Sequence, residues 1–510
     1  MKFLRSATNR IVLTAVLILV QLGLLYMLLM RFQTSANFFY IGYFIVSTIA
    51  VLSIINSRRN PAYKIAWLIP VTLLPYLGVM IYLIFGRLYT KKSFKNKMDE
   101  VHQKEIDAIN KTFDVLNPHD VMPNEDAAIH STYLYNYGDL PLFQNSTSRY
   151  LKIGEEMFEE MKIELRKGER YIFMEYFIIE EGKMWNEILE ILEEKVAQGV
   201  DVRLIYDDFG CLFKLPYKYN EVLEAKGIKT CIFNPIVPVL SSIFNNRDHR
   251  KIMVIDGKTA FTGGINLADE YINEVERFGH WKDTGIVMKG DIAWGFTIMF
   301  LSMWDFLHEE ENDYTFYYPG KNRDYDNQTG FYQPFSDNPF TSEAISMSVY
   351  SNLINRAKKY IYITTPYLII DNTLMDALCN AAKSGIDVRI QTPHIPDKWY
   401  AHSVTRSNYD QLLEAGVKIF EYTPGFIHSK SIVVDDLYAV VGSINLDFRS
   451  LYLHLENGIW MYDTETVHEI YQDFVDVQEV CHEVTLEDAK SVGWWRHLAR
   501  AVLNVFAPLM

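Results

Sequence analysis

Apolar residues are distributed along this chain in two ways. Near the N-terminus they form long, nearly uninterrupted runs. Ile11 to Met30 is uncharged and bounded by Arg10 and Arg31, a length that matches one helical bilayer crossing of about 20 residues. Phe38 to Ile55 is a second run, closed by Arg58-Arg59, and Ile65 to Phe85 is a third, broken by Pro70 and Pro75. Beyond residue 97 the runs shorten. Short apolar segments alternate with helix-length amphipathic ones, which predicts an α/β architecture.

Charge sharpens this division. Residues 1–97 carry twelve Lys/Arg and no acid, whereas the remainder has thirty-seven bases against sixty-four acids. So acidic a body repels polyanions, which argues against nucleic acid as substrate or partner. An uncharged run followed closely by another reads as an anchor rather than a cleaved signal peptide. Two crossings, with the third run as a re-entrant or interfacial hairpin, place every basic flank except Arg31 on the inside. A proline-kinked third crossing is the alternative. Either way the expectation is a multi-pass anchor in a bacterial cell membrane, and the two-crossing form puts the rest of the chain in the cytoplasm. Cys211, Cys231, Cys379 and Cys481 are widely spaced and form no C-x-x-C pair, as expected for free thiols in a reducing compartment.

The acidic body repeats itself. Tyr171-Ile172-Phe173-Met174 has a counterpart in Tyr360-Ile361-Tyr362-Ile363, Gly199-Val200-Asp201-Val202-Arg203 in Gly385-Ile386-Asp387-Val388-Arg389, and Glu224-Ala225-Lys226-Gly227 in Glu414-Ala415-Gly416. These repeats predict two α/β lobes related by a pseudo-two-fold axis. The expected organisation is an anchor over 1–97, a first lobe over 98–325, a second over 326–485, and a C-terminal amphipathic segment over 486–510. The polar, aromatic stretch Glu311 to Asn338 reads as the connection between lobes. Trp494-Trp495 with Leu498, Val502 and Phe506 is either an interfacial helix or one buried on the lobe.

Each half also carries the same chemical pattern, H-x-K-x4-D. His249, Lys251 and Asp256 form one copy and His428, Lys430 and Asp435 the other. Each leads into a small-residue turn and an Asn, at Gly263-Gly264-Ile265-Asn266 and Gly442-Ser443-Ile444-Asn445. Apolar runs on both sides of Asp256-Gly257 and Asp435-Asp436 predict β-hairpins. With period-two side chains, His and Lys of each copy share a face, so a Lys can hold a phosphate oxygen while its His reacts. Parity places each Asp on the other face, where a turn or ion-pair role is expected. Imidazole titrates near neutrality, so one His can be the nucleophile and the other the acid that protonates the leaving alcohol. Lys251, Lys430, Asn266 and Asn445 are the expected donors to charge developing on phosphorus. No cofactor and no metal cluster are expected.

From about residue 130 onward the chain resembles the phospholipase D superfamily, whose signature is this duplicated motif. With the N-terminal apolar runs, Leu83-Ile84-Phe85-Gly86-Arg87, Thr365-Pro366-Tyr367 and Asn445-Leu446-Asp447-Phe448-Arg449-Ser450, the whole chain is similar to the bacterial cardiolipin synthases. That resemblance implies metal-free transfer of a phosphatidyl group between two phosphatidylglycerol molecules through a phosphoryl-histidine. It also implies Asp283 and Glu456 as orienting carboxylates, expected to serve the His of their own half, His249 and His428. Here Asp283 departs from a Glu, and Leu453-His454-Leu455 departs before Glu456. The alternatives are a membrane-bound phospholipase D, a transferase using another alcohol, a non-catalytic lipid-binding protein and a tethered nuclease. Oligomeric state is not legible.

Overall fold

The computed structural model describes residues 36–509 except 75, 87–91, 139, 237–244, 309–311, 322–323, 326–327, 342 and 492, together with scattered positions between 16 and 27. The expected crossing at Ile11 to Met30 lies largely outside the described residues. The second apolar run forms the helix Ala36–Ile55. Among the described residues no helix is long and apolar enough to cross a membrane.

The third run is a broken helix. Asn60 caps the segment Pro61–Leu73, its side chain accepting the Ala62 N–H at 2.9 Å, and Pro at the first helical position fits that start. The helix continues through Pro70 and stops at Leu73. After Tyr76, whose φ is 53°, it resumes as Leu77–Ile81 and the π-turn Tyr82–Gly86. A Cβ on Gly78 would lie 1.8 Å from the Pro70 carbonyl oxygen, so this bend requires a residue without a side chain. Pro70, expected to disturb the helix, sits inside it, and Pro75 lies outside the described residues. These segments share a small core of Ile54, Trp67, Val71, Val79 and Tyr82.

The acidic body forms two sheet-centred lobes. In the first, β1 (Ser146–Leu151), β2 (Tyr171–Tyr176), β3 (Asp201–Asp207), β4 (Lys229–Phe233), β5 (Lys251–Ile255), β6 (Thr259–Gly263) and β8 (Gly285–Gly290) are ordered β1-β8-β6-β5-β2-β3-β4. In the second, β9 (Phe331–Asp337), β10 (Tyr360–Thr364), β11 (Asp387–Pro393), β12 (Lys418–Tyr422), β14 (Ser431–Val434), β15 (Tyr438–Gly442) and β16 (Glu456–Tyr462) follow the same order, with β17 (Cys481–Val484) added beside β12. The strands β2-β3-β4 and β10-β11-β12 run parallel, as crossover helices require, and the hairpin strands run antiparallel. A short parallel pair, β7 (His280–Lys282) with β13 (Gly425–Ile427), stitches the lobes together.

The central strands are buried on both faces, which is why Tyr171–Tyr176 and Tyr360–Thr364 read as continuous apolar runs rather than alternating ones. Between the sheets lies the almost wholly buried helix Ile292–Leu307. It belongs to one core with Phe173, Ile252 and Val254 of the first lobe and Tyr362, Val433 and Met461 of the second. The helix Glu125–Tyr137, expected with the first lobe, contributes Ala127, Ala128 and Leu134 to the core of the second. The expected inter-lobe connection likewise ends in a strand, β9, at the sheet edge. At the C-terminus the helix Trp494–Phe506 exposes Trp494, Trp495, Leu498 and Val502, and Ala507 after it is buried with Val404 and Phe448.

Candidate active site

Both motif hairpins form as the sequence predicts, β5 with β6 and β14 with β15. Each motif Asp lies at the turn with positive φ, 54° for Asp256 and 57° for Asp435. The Asp256 carboxylate accepts three backbone N–H groups, from Glu169, Arg170 and Tyr171, at 2.7–2.9 Å. Asp435 does the same for Lys358, Lys359 and Tyr360 at 2.6–2.9 Å. These aspartates clamp the hairpin tips to the start of the neighbouring strand, at the end of each hairpin away from its motif histidine.

The histidines lie at the other end of their hairpins, where the lobes meet. Their backbones are held across the interface. The His249 N–H donates to the Leu455 carbonyl at 2.9 Å, and the His428 N–H to the Lys282 carbonyl at 2.7 Å. Leu455 and Lys282 immediately precede Glu456 and Asp283, so each carboxylate arrives beside the histidine of the opposite lobe. His249 Nδ1 lies 2.9 and 3.0 Å from the two Glu456 oxygens, and His428 Nδ1 lies 2.6 Å from Asp283 Oδ2. The expected pairing within each half is thus corrected to a crossed pairing. With Nδ1 engaged, Nε2 is the nitrogen left for substrate in both rings.

The two carboxylates are fixed by different means. Ser443 donates its hydroxyl to Glu456. At the matching position of the first half stands Gly264, where a Cβ would lie 2.1 Å from Asp283 Oδ1. Asp283 instead accepts the Thr284 N–H at 2.8 Å. Phe177 and His454 pack around His249, with ring centroids 5.0 and 5.8 Å away. Around His428 stand Trp281 at 5.2 Å, Phe426 at 5.7 Å and Tyr271 at 5.8 Å.

Lys251 and Lys430 are buried, and each ammonium donates back to the carbonyl of its own motif histidine. Burial lowers Lys251 to about 7 and Lys430 to about 8, against the pull of Glu456 and Asp283. Burial likewise lowers His249 well below its usual range, with the Lys251 charge adding, and His428 to about 4, with Lys430 adding and Asp283 opposing. Glu456 is raised well above the usual carboxylate range by burial. An anion placed between the lysines would oppose these shifts on the cations.

Asn266 is committed elsewhere: its Oδ1 accepts the Ile178 N–H at 3.0 Å and its Nδ2 donates to Tyr271 at 2.7 Å. Asn445 is buried, and its Oδ1 has no hydrogen-bond partner among the described residues. Sequence reasoning missed His454, Ser443 and Trp281 as neighbours of the site. The two-residue offset of Trp281 and His454 before Asp283 and Glu456 was the available signal. His249, His454 and Glu456 each bring one ligand atom within 4.8 Å of the others, a grouping that could receive a metal ion. The four cysteines are free, three of them buried.

Residues 162–278 and 350–477 match the family model described as "Cardiolipin synthase, PLD-like domain", and residues 45–87 match "Phospholipase D-nuclease N-terminal". An uncharacterized protein of Streptococcus mutans is 41% identical over 90% of this chain and 99% of its own. A cardiolipin synthase of Geobacillus kaustophilus is 34% identical over 90% of this chain and 91% of its own. A phosphatidylserine synthase crystal structure from Haemophilus influenzae superposes with a TM-score of 0.56, covering 74% of this chain and 97% of that one at 16% identity, a likeness of fold. With its matched domains, its full-length relatives and its paired motifs, the chain belongs to the cardiolipin synthase family of phospholipase D-like proteins.

Proposed function

We propose that this protein makes cardiolipin, transferring a phosphatidyl group from one phosphatidylglycerol to the primary hydroxyl of another and releasing glycerol. The observation that carries this is the pair of buried histidines, each fixed at Nδ1 by a carboxylate of the opposite lobe. His249 Nε2 attacks the donor phosphorus and the bond to the glycerol headgroup breaks, with His428 giving its proton to the departing oxygen. His428 then takes the proton of the acceptor hydroxyl. That oxygen attacks phosphorus and the P–N bond to His249 breaks, so proton and phosphatidyl balance over the cycle. The order is supported by charge: Asp283 opposes the lowering of His428, whereas burial and the Lys251 charge, the largest influences on His249, both lower its proton affinity. Lys251 and Lys430 stand beside the site as cations for the non-bridging oxygens. Asn445 is a further donor candidate, and Asn266 positions the loop.

The lobes face the cytoplasm in this reading, anchored in a bacterial membrane by the N-terminal runs. The family match at residues 45–87 and the basic flanks support that placement. A water-poor site at the bilayer favours the lipid acceptor over hydrolysis. Purified protein given labelled phosphatidylglycerol alone, in excess chelator, is expected to yield cardiolipin and glycerol. Phosphatidic acid as the main product would instead indicate a phospholipase D, and dependence on an added divalent ion would overturn metal-free catalysis.

A further inference from the structure

A cavity of about 370 Å³ lies between the N-terminal segment and the second lobe. Its walls include Arg58, Arg59 and Tyr63 on one side, and Phe448, Leu453 and His454 on the other. That volume is within the range of small-ligand pockets, about 300–1,000 Å³. The wall facing the lobe is largely apolar, and the rim nearest the apolar helices is cationic. Arg58 is exposed and has no hydrogen-bond or ion-pair partner among the described residues. Arg59 lies 5.0 Å over the Tyr63 ring and donates to the Gly86 carbonyl. Neither guanidinium is neutralised by a carboxylate among the described residues.

Two acids do reach the wall, and both are engaged. Asp337 accepts the N–H groups of Ile345 and Ser346 at 2.8 and 3.0 Å, and Glu343 accepts the Tyr133 hydroxyl at 2.5 Å. The rim is tied to the lobe by Asn60, whose side chain donates to Asp371 at 2.7 Å and to the Tyr452 hydroxyl at 3.1 Å. At the inner end, His454 carries a buried Nε2 without a hydrogen-bond partner among the described residues, and its ring stands 5.8 Å from that of His249. The cavity therefore runs from the membrane-proximal helices toward one catalytic histidine. At the matching place in the other half stands the indole of Trp281, against His428.

We propose that this cavity binds one anionic glycerophospholipid, phosphatidylglycerol. Its phosphate would meet Arg58 and Arg59, its glycerol portion would point to His454, and its acyl chains would lie along the N-terminal apolar helices. The proposal rests on the lipid-substrate reading above and adds where the lipid is held and from which side it reaches the site. Guanidinium with phosphate is the favoured charge-assisted pairing, and the apolar wall suits the glycerol-ester region.

The test uses full-length protein in nanodiscs of phosphatidylglycerol and phosphatidylcholine, with a photoreactive phosphatidylglycerol carrying its diazirine near the glycerol backbone. Cross-links are expected within 58–63 and 448–454, and Leu453→Trp, which fills the cavity, should lower their yield. Arg58→Glu should raise KM for phosphatidylglycerol roughly five- to tenfold, leave kcat within about twofold, and be rescued by Arg58→Lys. Cross-links confined to other parts of the chain, or an unchanged KM in Arg58→Glu, would overturn the cavity assignment even if cardiolipin is made. Cross-links at these positions in a protein that makes no cardiolipin would uphold the lipid site and sink the synthase reading.

Discussion

The two halves of the site solve one problem with different residues. Around His249 the carboxylate is a longer Glu456 braced by a Ser443 hydroxyl, and a second imidazole stands nearby. Around His428 it is a shorter Asp283 fitted against a bare Gly264, and the neighbours are aromatic. Duplication conserved the geometry of a held histidine and left the surroundings free to differ. Two equivalent positions can therefore hold protons unequally, which is what a nucleophile and an acid need.

The harshest way to break the comparison is to remove either ring. His249→Ala and His428→Ala should each lower synthesis by about 10⁴-fold or more, with the protein still in the membrane fraction. Their roles separate with a lipid p-nitrophenyl phosphodiester, whose leaving group needs no acid. His428→Asn should give a burst of nitrophenol and phosphate trapped on His249, and His249→Asn neither. An adduct on His428 would reverse the assignment.

Next come the carboxylates, where losing the orienting partner should cost about 10²- to 10⁴-fold in kcat. Placed in the His428→Asn background, Glu456→Gln should abolish the burst and Asp283→Asn should leave it. The opposite result would restore pairing within each lobe. A smaller effect, about ten- to a hundredfold, is expected of Gly264→Ala, because the new Cβ must displace the Asp283 carboxylate. Activity equal to wild type would mean that Asp283 need not sit where it does.

The lysines set a pH test. Both pKa values are lowered, to about 7 for Lys251 and about 8 for Lys430, so each is cationic below that value and neutral above it. kcat/KM for the anionic substrate should fall as pH rises through 7 to 8. Lys430→Arg, which stays charged, should shift that descending limb. A limb unmoved in both Lys430→Arg and Lys251→Arg would assign it to another group. The smallest catalytic effect belongs to the turn. Asp435→Ala strands three backbone donors and should cost about 2–4 kcal/mol of stability. It should spare turnover at low temperature, read by thermal unfolding beside an activity assay.

Much of this was legible in sequence, for identifiable reasons. A His and a Lys two apart on a strand share a face whatever surrounds them, and an Asp-Gly or Asp-Asp step between two apolar runs makes a turn, so both hairpins and the turn role of Asp256 and Asp435 followed. The crossed pairing was not legible. It depends on Leu455 pairing with His249 and Lys282 with His428, contacts between residues far apart in sequence that local periodicity cannot encode. The edge strands β1 and β9 were missed because Phe331–Asp337 reads as a polar, proline-containing linker until a neighbouring strand pairs with it. A proline within an apolar run reads as a helix breaker, yet the helix runs through Pro70.

Because each histidine is oriented by the opposite lobe, neither lobe by itself holds its own motif histidine. The arrangement is that of a two-fold dimer whose subunits have been joined end to end. Such a joined pair gains what a true dimer lacks, freedom for the two copies to drift apart in sequence, since no mutation is forced to appear on both sides of the axis. Its counterpart is mutual dependence: a change at Glu456 is felt by His249 and a change at Asp283 by His428, so each lobe's history is constrained by the other's chemistry rather than its own.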